Sequence, residues 1–508
     1  MKSCTVLTTS ALVLAVAAQV YGQEKPPSGA AAPPGGEAAP ARSTGSGQAP
    51  AAPPVARPSP GLLNEFLRAR SDEWSAWDIG GQSRTRYEFK ENLAVAGTTG
   101  AADFRRNSPQ DENNFLLLRE RLHVGYAPVK WFTLYGEAQS SSTSGDERNP
   151  NPEANGLVDV RQAYLTLGTG KFVPFTVKIG RQELLYGDER LVGSSDWNNL
   201  GRVFDAAKLR YQKEQFWVDG FMSRVVIADD NNLDLPNDYD WFSGVYASTR
   251  TYFPRQETQV YFLVRNVSRQ SPNVIGPNVP TLLRGATPRD IYTAGTRIKS
   301  LPGQVGAWDY EAEFAAQWGD FAPTATAPRL DHEAFAAHLA GGYTWAKTWG
   351  APRFGLEYNY ASGDDNPNDG EHGTFENLFP TNHKFYGFMD FFSWQNVHDL
   401  RASASLKPHQ QLSLTLDYHA FWLADTHDSF YQVNGAPRNT GGYGINPSAG
   451  GFVGHELDLV ASYAPKSYAT LQAGYGHFFT GEYVRDSLAP VGGATDANWF
   501  YLQAVFNF

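Results

Sequence analysis

The sequence predicts an all-β fold, an 18-stranded antiparallel transmembrane β-barrel, and three observations carry that prediction. Long segments alternate oily and polar side chains, the connections between them alternate short and long, and the chain closes on an amphipathic strand ending in Phe508. Bulk composition agrees. Mean hydropathy is −0.42. Aromatic residues make up 14% of the 508, and no internal stretch approaches the roughly 20 apolar residues of a membrane helix. A helical membrane protein is excluded, whereas a barrel hides its apolar signal in alternation.

The N-terminal elements come first. Residues 1–22 read as a secretory signal, with Lys2, an apolar run from Val6 to Val20, and a small-residue cleavage site before Gln23. Cys4 is the only cysteine and lies inside that signal, so the processed chain is expected to lack disulfides, thiolate metal sites and thiol catalysis. Residues 23–60 are Ala, Pro, Gly and Ser with almost no large apolar residue, the composition of a disordered linker. Residues 61–76 form a short periplasmic segment, in which Leu62 to Trp74 reads as a tether with a weak amphipathic helical pattern. The barrel takes 77–508. A net charge of −11 argues against a nucleic-acid partner.

Each strand shows one oily and one wet face. From Leu412 to Trp422 the even positions are Leu412, Leu414, Leu416, Tyr418, Ala420 and Trp422, with Ser413, Thr415, Asp417 and His419 between them. Asp309, Glu311, Glu313 and Gln317 alternate in the same way with Tyr310, Ala312, Phe314 and Trp318. Successive side chains of a strand point to opposite faces. Such segments run to about 10–14 residues, against roughly 5–6 in soluble sheets, so the oily face is assigned to lipid and the polar face to the lumen. Eighteen segments run from 77–90 and 115–127 through 241–253 and 304–318 to 468–480 and 496–508. Short turns such as Pro254-Arg255, Pro302-Gly303 and Pro408-His409 alternate with long connections such as 183–200, 363–395 and 424–452. Proline suits the turns because it cannot donate to a ladder. An even count places both termini in the periplasm. In the last strand Phe500, Leu502, Ala504, Phe506 and Phe508 face lipid. A terminal Phe in that setting resembles the signal read by the barrel assembly machinery. That machinery, through Phe508, and outer-membrane lipid with lipopolysaccharide are therefore the expected partners.

Parity also assigns the lumen. About fifteen basic residues face inward, among them Arg84, Arg86, Arg119, Arg121, Lys178, Lys208, Arg210, Arg265, Arg297, Lys299, Arg353 and Arg401, against about ten acidic ones. The predicted wall is slightly basic, and the negative charge is left to loops. Guanidinium groups along an aqueous path focus potential and attract carboxylates or phosphates. The alternative reading is an ion-pair network that fills the barrel. Glu120, outward by parity between Leu118 and Leu122, predicts a bulge at that point.

Two loops invite chemistry. In 180–208, Arg181, Arg190 and Arg202 alternate with Glu183, Asp188 and Asp205 around Trp197, a pattern expected to fold into the lumen and narrow it. Asp364, Asp365, Asn366, Asn368, Asp369 and Glu371 are candidate calcium ligands. They depart from the EF-hand because Gly370 comes one position late and position twelve is Phe375. A solvated acidic loop is the default there, and no other cofactor is expected. His419 beside Asp417 lacks any Gly-x-Ser-x-Gly elbow, so no enzyme is predicted.

Several motifs together resemble the alginate-export family of outer-membrane channels: Asp159 to Leu165, Gly180 to Glu183, Gly187 to Gly193, Trp197-Asn198, Arg202 to Asp205, and the opening Gly81 to Glu88. The likeness covers about residues 77–508. It implies an 18-stranded barrel with an arginine-rich constriction through which an anionic uronate polymer, an acidic exopolysaccharide, leaves the cell. The Ala/Pro linker is not part of the family pattern. A solute-selective porin taking up small anionic molecules remains the alternative.

Overall fold

The structure, a computed structural model, describes residues 61–508 apart from 94–102, 107, 109–110, 149–152, 157, 169–172, 229–232, 269–286 and 325. The signal and linker readings over 1–22 and 23–60 lie outside the described residues. The strands are β1 Trp77–Glu91, β2 Glu112–Val129, β3 Phe132–Ser144, β4 Asp159–Leu167, β5 Phe175–Gln182, β6 Phe204–Lys213, β7 Phe216–Ile227, β8 Leu235–Thr249 and β9 Gln256–Val267. Then come β10 Arg289–Ser300, β11 Trp308–Phe321, β12 Leu330–Thr344, β13 Arg353–Ala361, β14 Glu371–His372, β15 Val397–His409, β16 Leu412–Trp422, β17 Phe452–Lys466, β18 Ala469–Thr480 and β19 Ala497–Asn507. Strand β14 is a two-residue stub lying parallel to β12, and β13 pairs directly with β15. The other eighteen form one closed antiparallel meander, in which β1 joins both β2 and β19.

Burial repeats the alternation read from the sequence. In β1, Arg84, Arg86, Glu88 and Lys90 are buried while Thr85 and Tyr87 are exposed. Leu122, Val124, Ile179, Leu339, Leu356 and Leu502 form part of the outward apolar belt, the face that lipid covers. Strand ends differ from expectation where pairing outlasts the apolar pattern. The segment expected at 241–253 is β8, which begins six residues earlier because β7 continues to pair with it past a register shift after Arg224.

The β1–β2 register is unbroken from Trp77↔Tyr126 to Glu91↔Glu112, so the bulge expected at Glu120 is not there. Glu120 does point outward, and the Ser83 hydroxyl opposite donates to it at 2.7 Å. That bond offsets part of the cost of a carboxylate on the apolar face. A bulge lies instead between β3 and β4, where Glu137 faces Gln162 and Ala138 faces Val160. Arg161 is the extra residue.

Both ends of the barrel meander meet at the short-turn rim. Phe508 and Gly81 exchange two backbone hydrogen bonds of 3.0 Å. Helix α1, Leu62–Arg70, is pinned beside them: Asn64 Nδ2 donates to Asp78 Oδ1 at 2.5 Å and Arg68 Nη2 to the Trp77 carbonyl at 2.6 Å. At the opposite rim the described long connections 183–203 and 362–396 turn inward. Their aromatic and aliphatic side chains pack against the upper wall as one hydrophobic core, including Tyr186, Phe379, Tyr386, Phe392 and Trp394 against Phe242, Phe421 and Phe478.

Candidate functional site

The connection 183–203 is too rich in charge and aromatic groups for a solvated loop, and it crosses the lumen. It is bonded to a second inward connection, 362–396. The Gly193 amide donates to Phe379 O at 2.8 Å, Phe379 N to Leu191 O at 2.9 Å, and Thr381 N to Glu189 O at 2.9 Å. Arg202 Nη1 donates to Pro380 O at 2.7 Å, and Lys384 pairs with Glu189 at 2.5 Å. The two connections therefore form one hydrogen-bonded plug.

Ion pairs fasten the plug to the wall. Asp196 meets Arg119 at 3.1 Å and Arg121 at 2.8 Å, and its carbonyl accepts from Arg84 at 2.8 Å. The Arg86 guanidinium lies 3.8 Å above the Trp197 ring and donates to the Trp197 carbonyl at 2.8 Å. Trp197 in turn stacks on His383 at 4.0 Å. Across the lumen, Asp188 bridges Arg297 at 2.8 Å and Lys299 at 2.5 Å, and Glu311 meets both cations as well. Arg190 reaches Glu357 at 2.9 Å. Glu183 pairs with Arg161 at 2.8 Å.

Of the predicted lumen cations, Arg84, Arg86, Arg119, Arg121, Arg297, Lys299 and, through Glu376, Arg265 thus gather at the plug. Lys208 and Arg210 share Asp219, Arg401 pairs with Asp417, and Arg265 bridges Asp240 and Glu376. Arg353 pairs with Asp309 towards the short-turn end. Lys178 makes no ion pair among the described residues; its ammonium sits 3.6 Å from the Tyr164 ring centre. Two predicted loop residues belong elsewhere. Arg181 and Asp205 lie on β5 and β6 and bond to each other at 2.9 Å. Their parity is opposite to that of Lys178 and Lys208, so they face outward. They fasten the strand ends at the root of the loop and do not line the constriction.

The wall charge is organised in sectors. Asp78, Asp240, Glu257 and Asp399 are buried on the inner face beside the acids already expected there. The basic surplus is therefore local. It lies on β1 to β6, where Arg84, Arg86, Lys90, Arg119, Arg121, Arg161, Lys178, Lys208 and Arg210 outnumber Asp78, Glu88, Glu137 and Asp159. Strands β15–β17 form an acidic counterpart of Asp399, Asp417, Glu456 and Asp458.

That acidic wall holds the plug by its backbone. Met389 N donates to Glu456 Oε1 at 2.8 Å and Phe388 N to Asp458 Oδ2 at 3.3 Å. Gly387 makes this approach at φ +84°, and a Cβ there would stand 2.4 Å from the Glu456 carboxylate. Gly387→Ala is expected to loosen the plug through both the clash and the about 1–2 kcal/mol cost of a left-handed alanine. Limited proteolysis would show it as faster cleavage within 381–391.

Set in the loop-filled lumen, the Asp196 carboxyl loses part of its hydration, which would raise it, but Arg119, Arg121 and Arg84 outweigh this and hold it well below the usual range. Arg297 and Lys299 do the same for Asp188. A carboxylate lowered in the docked state stabilises docking above its free pKa of about 3.9, and that support goes only as pH falls through the docked value. These ties are expected to hold from neutrality down to about pH 4 and to weaken in stronger acid. Channel recordings stepped downwards in pH would check this, and opening between neutrality and that limit would contradict it.

The calcium-loop residues hold one another in turns. Asp364 Oδ1 accepts from Asn366 N at 3.1 Å, Asn366 Oδ1 from Asn368 N at 3.4 Å, and Asp369 Oδ1 from Glu371 N at 2.9 Å, while Asp365 is exposed. Among the described residues no group of three or more His, Cys, Asp or Glu side chains is placed to hold a metal ion.

Sequence reasoning missed Arg161, whose bulge breaks the parity count, and Glu376, a plug carboxylate that joins Arg265 to Arg289. It also took 363–395 for a long connection carrying a solvated acidic loop. Ten large apolar residues between Phe375 and Trp394 were the available signal, since a solvated loop has no use for them.

A closed 18-stranded barrel with an apolar belt and a charged, loop-filled lumen is an outer-membrane β-barrel channel. Solved structures of the same architecture include three from Pseudomonas aeruginosa, OccD3 (OpdP), OccK1 (OpdK) and OccK7 (OpdD). Each has a TM-score of 0.51 and covers 85% of this chain; identities are 14%, 11% and 12%, and 91%, 98% and 98% of those chains are covered. At such identities they share the fold. No curated protein matches the chain significantly. The family profile described as alginate export matches residues 76–492, and the chain belongs to that family.

Proposed function

We propose that this channel exports an anionic uronate polymer of the alginate type along the basic sector of its wall, entering at the short-turn, periplasmic end. The basic sector carries the reading. Arg119, Arg121 and Arg161 meet the inward loop where it fills the lumen, and Lys178 and Lys208 continue the positive charge towards the short-turn rim. A polymer carboxylate entering there meets fixed cations at successive levels, and electrostatic attraction alone gives direction to its approach. Residues 1–22 would direct export, Phe508 would present the closing strand to the assembly machinery, and both termini would lie in the periplasm. Efflux from liposomes would test the reading. Polyuronate is expected to leave through the reconstituted channel faster than a neutral glucan of equal length. Retention of both polymers with passage of a small carboxylate would replace export by uptake of small anions.

A further inference from the structure

The wall cations around the plug are met by carboxylates that the plug itself brings. Asp196 serves Arg119 and Arg121, Asp188 serves Arg297 and Lys299, and Glu183 serves Arg161. Between strand β5 and Asp188, Tyr186 lies nearly flat on Tyr246, with centres 4.6 Å apart and planes 16° apart; Tyr246 in turn stacks on Tyr261. The segment Tyr186 to Trp197 folds back in a turn, with Tyr186 N donating to Val192 O at 3.1 Å, and within it Tyr186, Asp188, Asp196 and Trp197 present two flat rings and two carboxylates to the wall. A uronate polymer offers comparable chemistry, a carboxylate and a pyranose face of C–H groups that can lie on an aromatic ring in every unit. Asp196 keeps about half of its side chain exposed (47%), whereas Asp188 is largely enclosed (10%). A competing anion therefore has access to the Asp196 site first.

We propose that segment 186–197 is an internal pseudo-substrate, occupying the carboxylate sites of the wall until a polyanion displaces it. The inference rests on the uronate reading above. Tethering gives each loop carboxylate an effective concentration on the order of millimolar at its partner, so a single free uronate competes poorly. A chain long enough to take the Asp196 and Asp188 sites together gains its second contact intramolecularly and displaces both. The plug then acts as a length filter as well as a barrier.

Single-channel recording with uronate oligomers of increasing length tests this on the full-length protein. The wild type is expected to ignore short oligomers and to change current only above a threshold length. In Asp188→Asn/Asp196→Asn the threshold should fall, with short oligomers acting at concentrations at least tenfold lower, a factor worth about 1.4 kcal/mol. Asp196→Asn alone should give part of that fall, which covers failure of the double variant to fold, and Asp196→Glu should keep the wild-type threshold. An unchanged threshold in both Asn variants would overturn the proposal. Inorganic polyphosphate in parallel separates the two readings. A variant that answers to polyphosphate but to no uronate places the failure in the uronate assignment. A variant that answers to no polyanion overturns the pseudo-substrate itself.

Discussion

Replacing Arg190 with Ala is expected to open the channel. Arg190 is the deepest cation of the plug, 3% exposed at its side chain and paired with Glu357 at 2.9 Å. It also donates to Asn359 Oδ1 at 3.2 Å and lies 4.0 Å from the Phe385 ring centre. Through Phe385 and Tyr386 it joins the first inward connection to the second. Removing one partner of a buried pair costs about 3–5 kcal/mol, because the other charge stays buried. Arg401 still reaches Glu357 at 3.4 Å, which places the effect towards the lower end of that range. Inverting an equilibrium from 1:99 to 99:1 takes about 5.5 kcal/mol, so the loss converts a firmly docked plug into one that is open for a large fraction of the time. In planar bilayers this reads as larger and noisier current, with Arg190→Lys recovering part of the wild-type behaviour.

The same phenotype is expected from a change that touches no charge. Trp394 is fully buried and packs on Phe375, with ring centres 5.5 Å apart, and on Tyr386 at 6.4 Å. Trp394→Ala removes the largest enclosed side chain of the plug core, at a cost of about 3–5 kcal/mol for a truncation of this kind. The barrel is closed by its own backbone ladder, so the loss falls mainly on the docked connection. Barrel stability should change little while current rises. Two chemically unrelated substitutions giving one result would show that the connections are a plug. If neither changes the current, they only decorate the wall.

The fold was legible because membrane strands carry their instructions locally. Parity alone places Arg84, Arg86, Arg119 and Arg121 inside and Leu118 and Leu122 outside, since one face meets lipid along the whole strand. The loop around Trp197 was legible too, because its charges are too dense to be left in water without purpose. Three features were not. Arg161 depends on a bulge, and one added residue reverses every parity after it. Arg181 and Asp205 fall inside the strands expected at 174–182 and 201–212, but the charged run 180–208 drew them into the loop although parity with Lys178 and Lys208 turns them outward. Glu376 and the apolar run from Phe375 to Trp394 act over distances of tens to hundreds of residues, where local pattern says nothing about the partner. The ion-pair network and the anion path are also two aspects of one arrangement. The guanidinium groups that would line a path are held in the closed form by carboxylates of the plug.

The most direct test of the account uses the uncharged Trp394→Ala channel, in which the wall is unmasked without changing its charge. Polyuronate added at the short-turn side is predicted to block its current at lower concentration than a neutral glucan of the same length. That advantage should disappear when Arg119 and Arg121 are both replaced by Gln. Equal block by the two polymers, or an advantage that survives the loss of both arginines, would contradict an anionic polymer path along the basic sector.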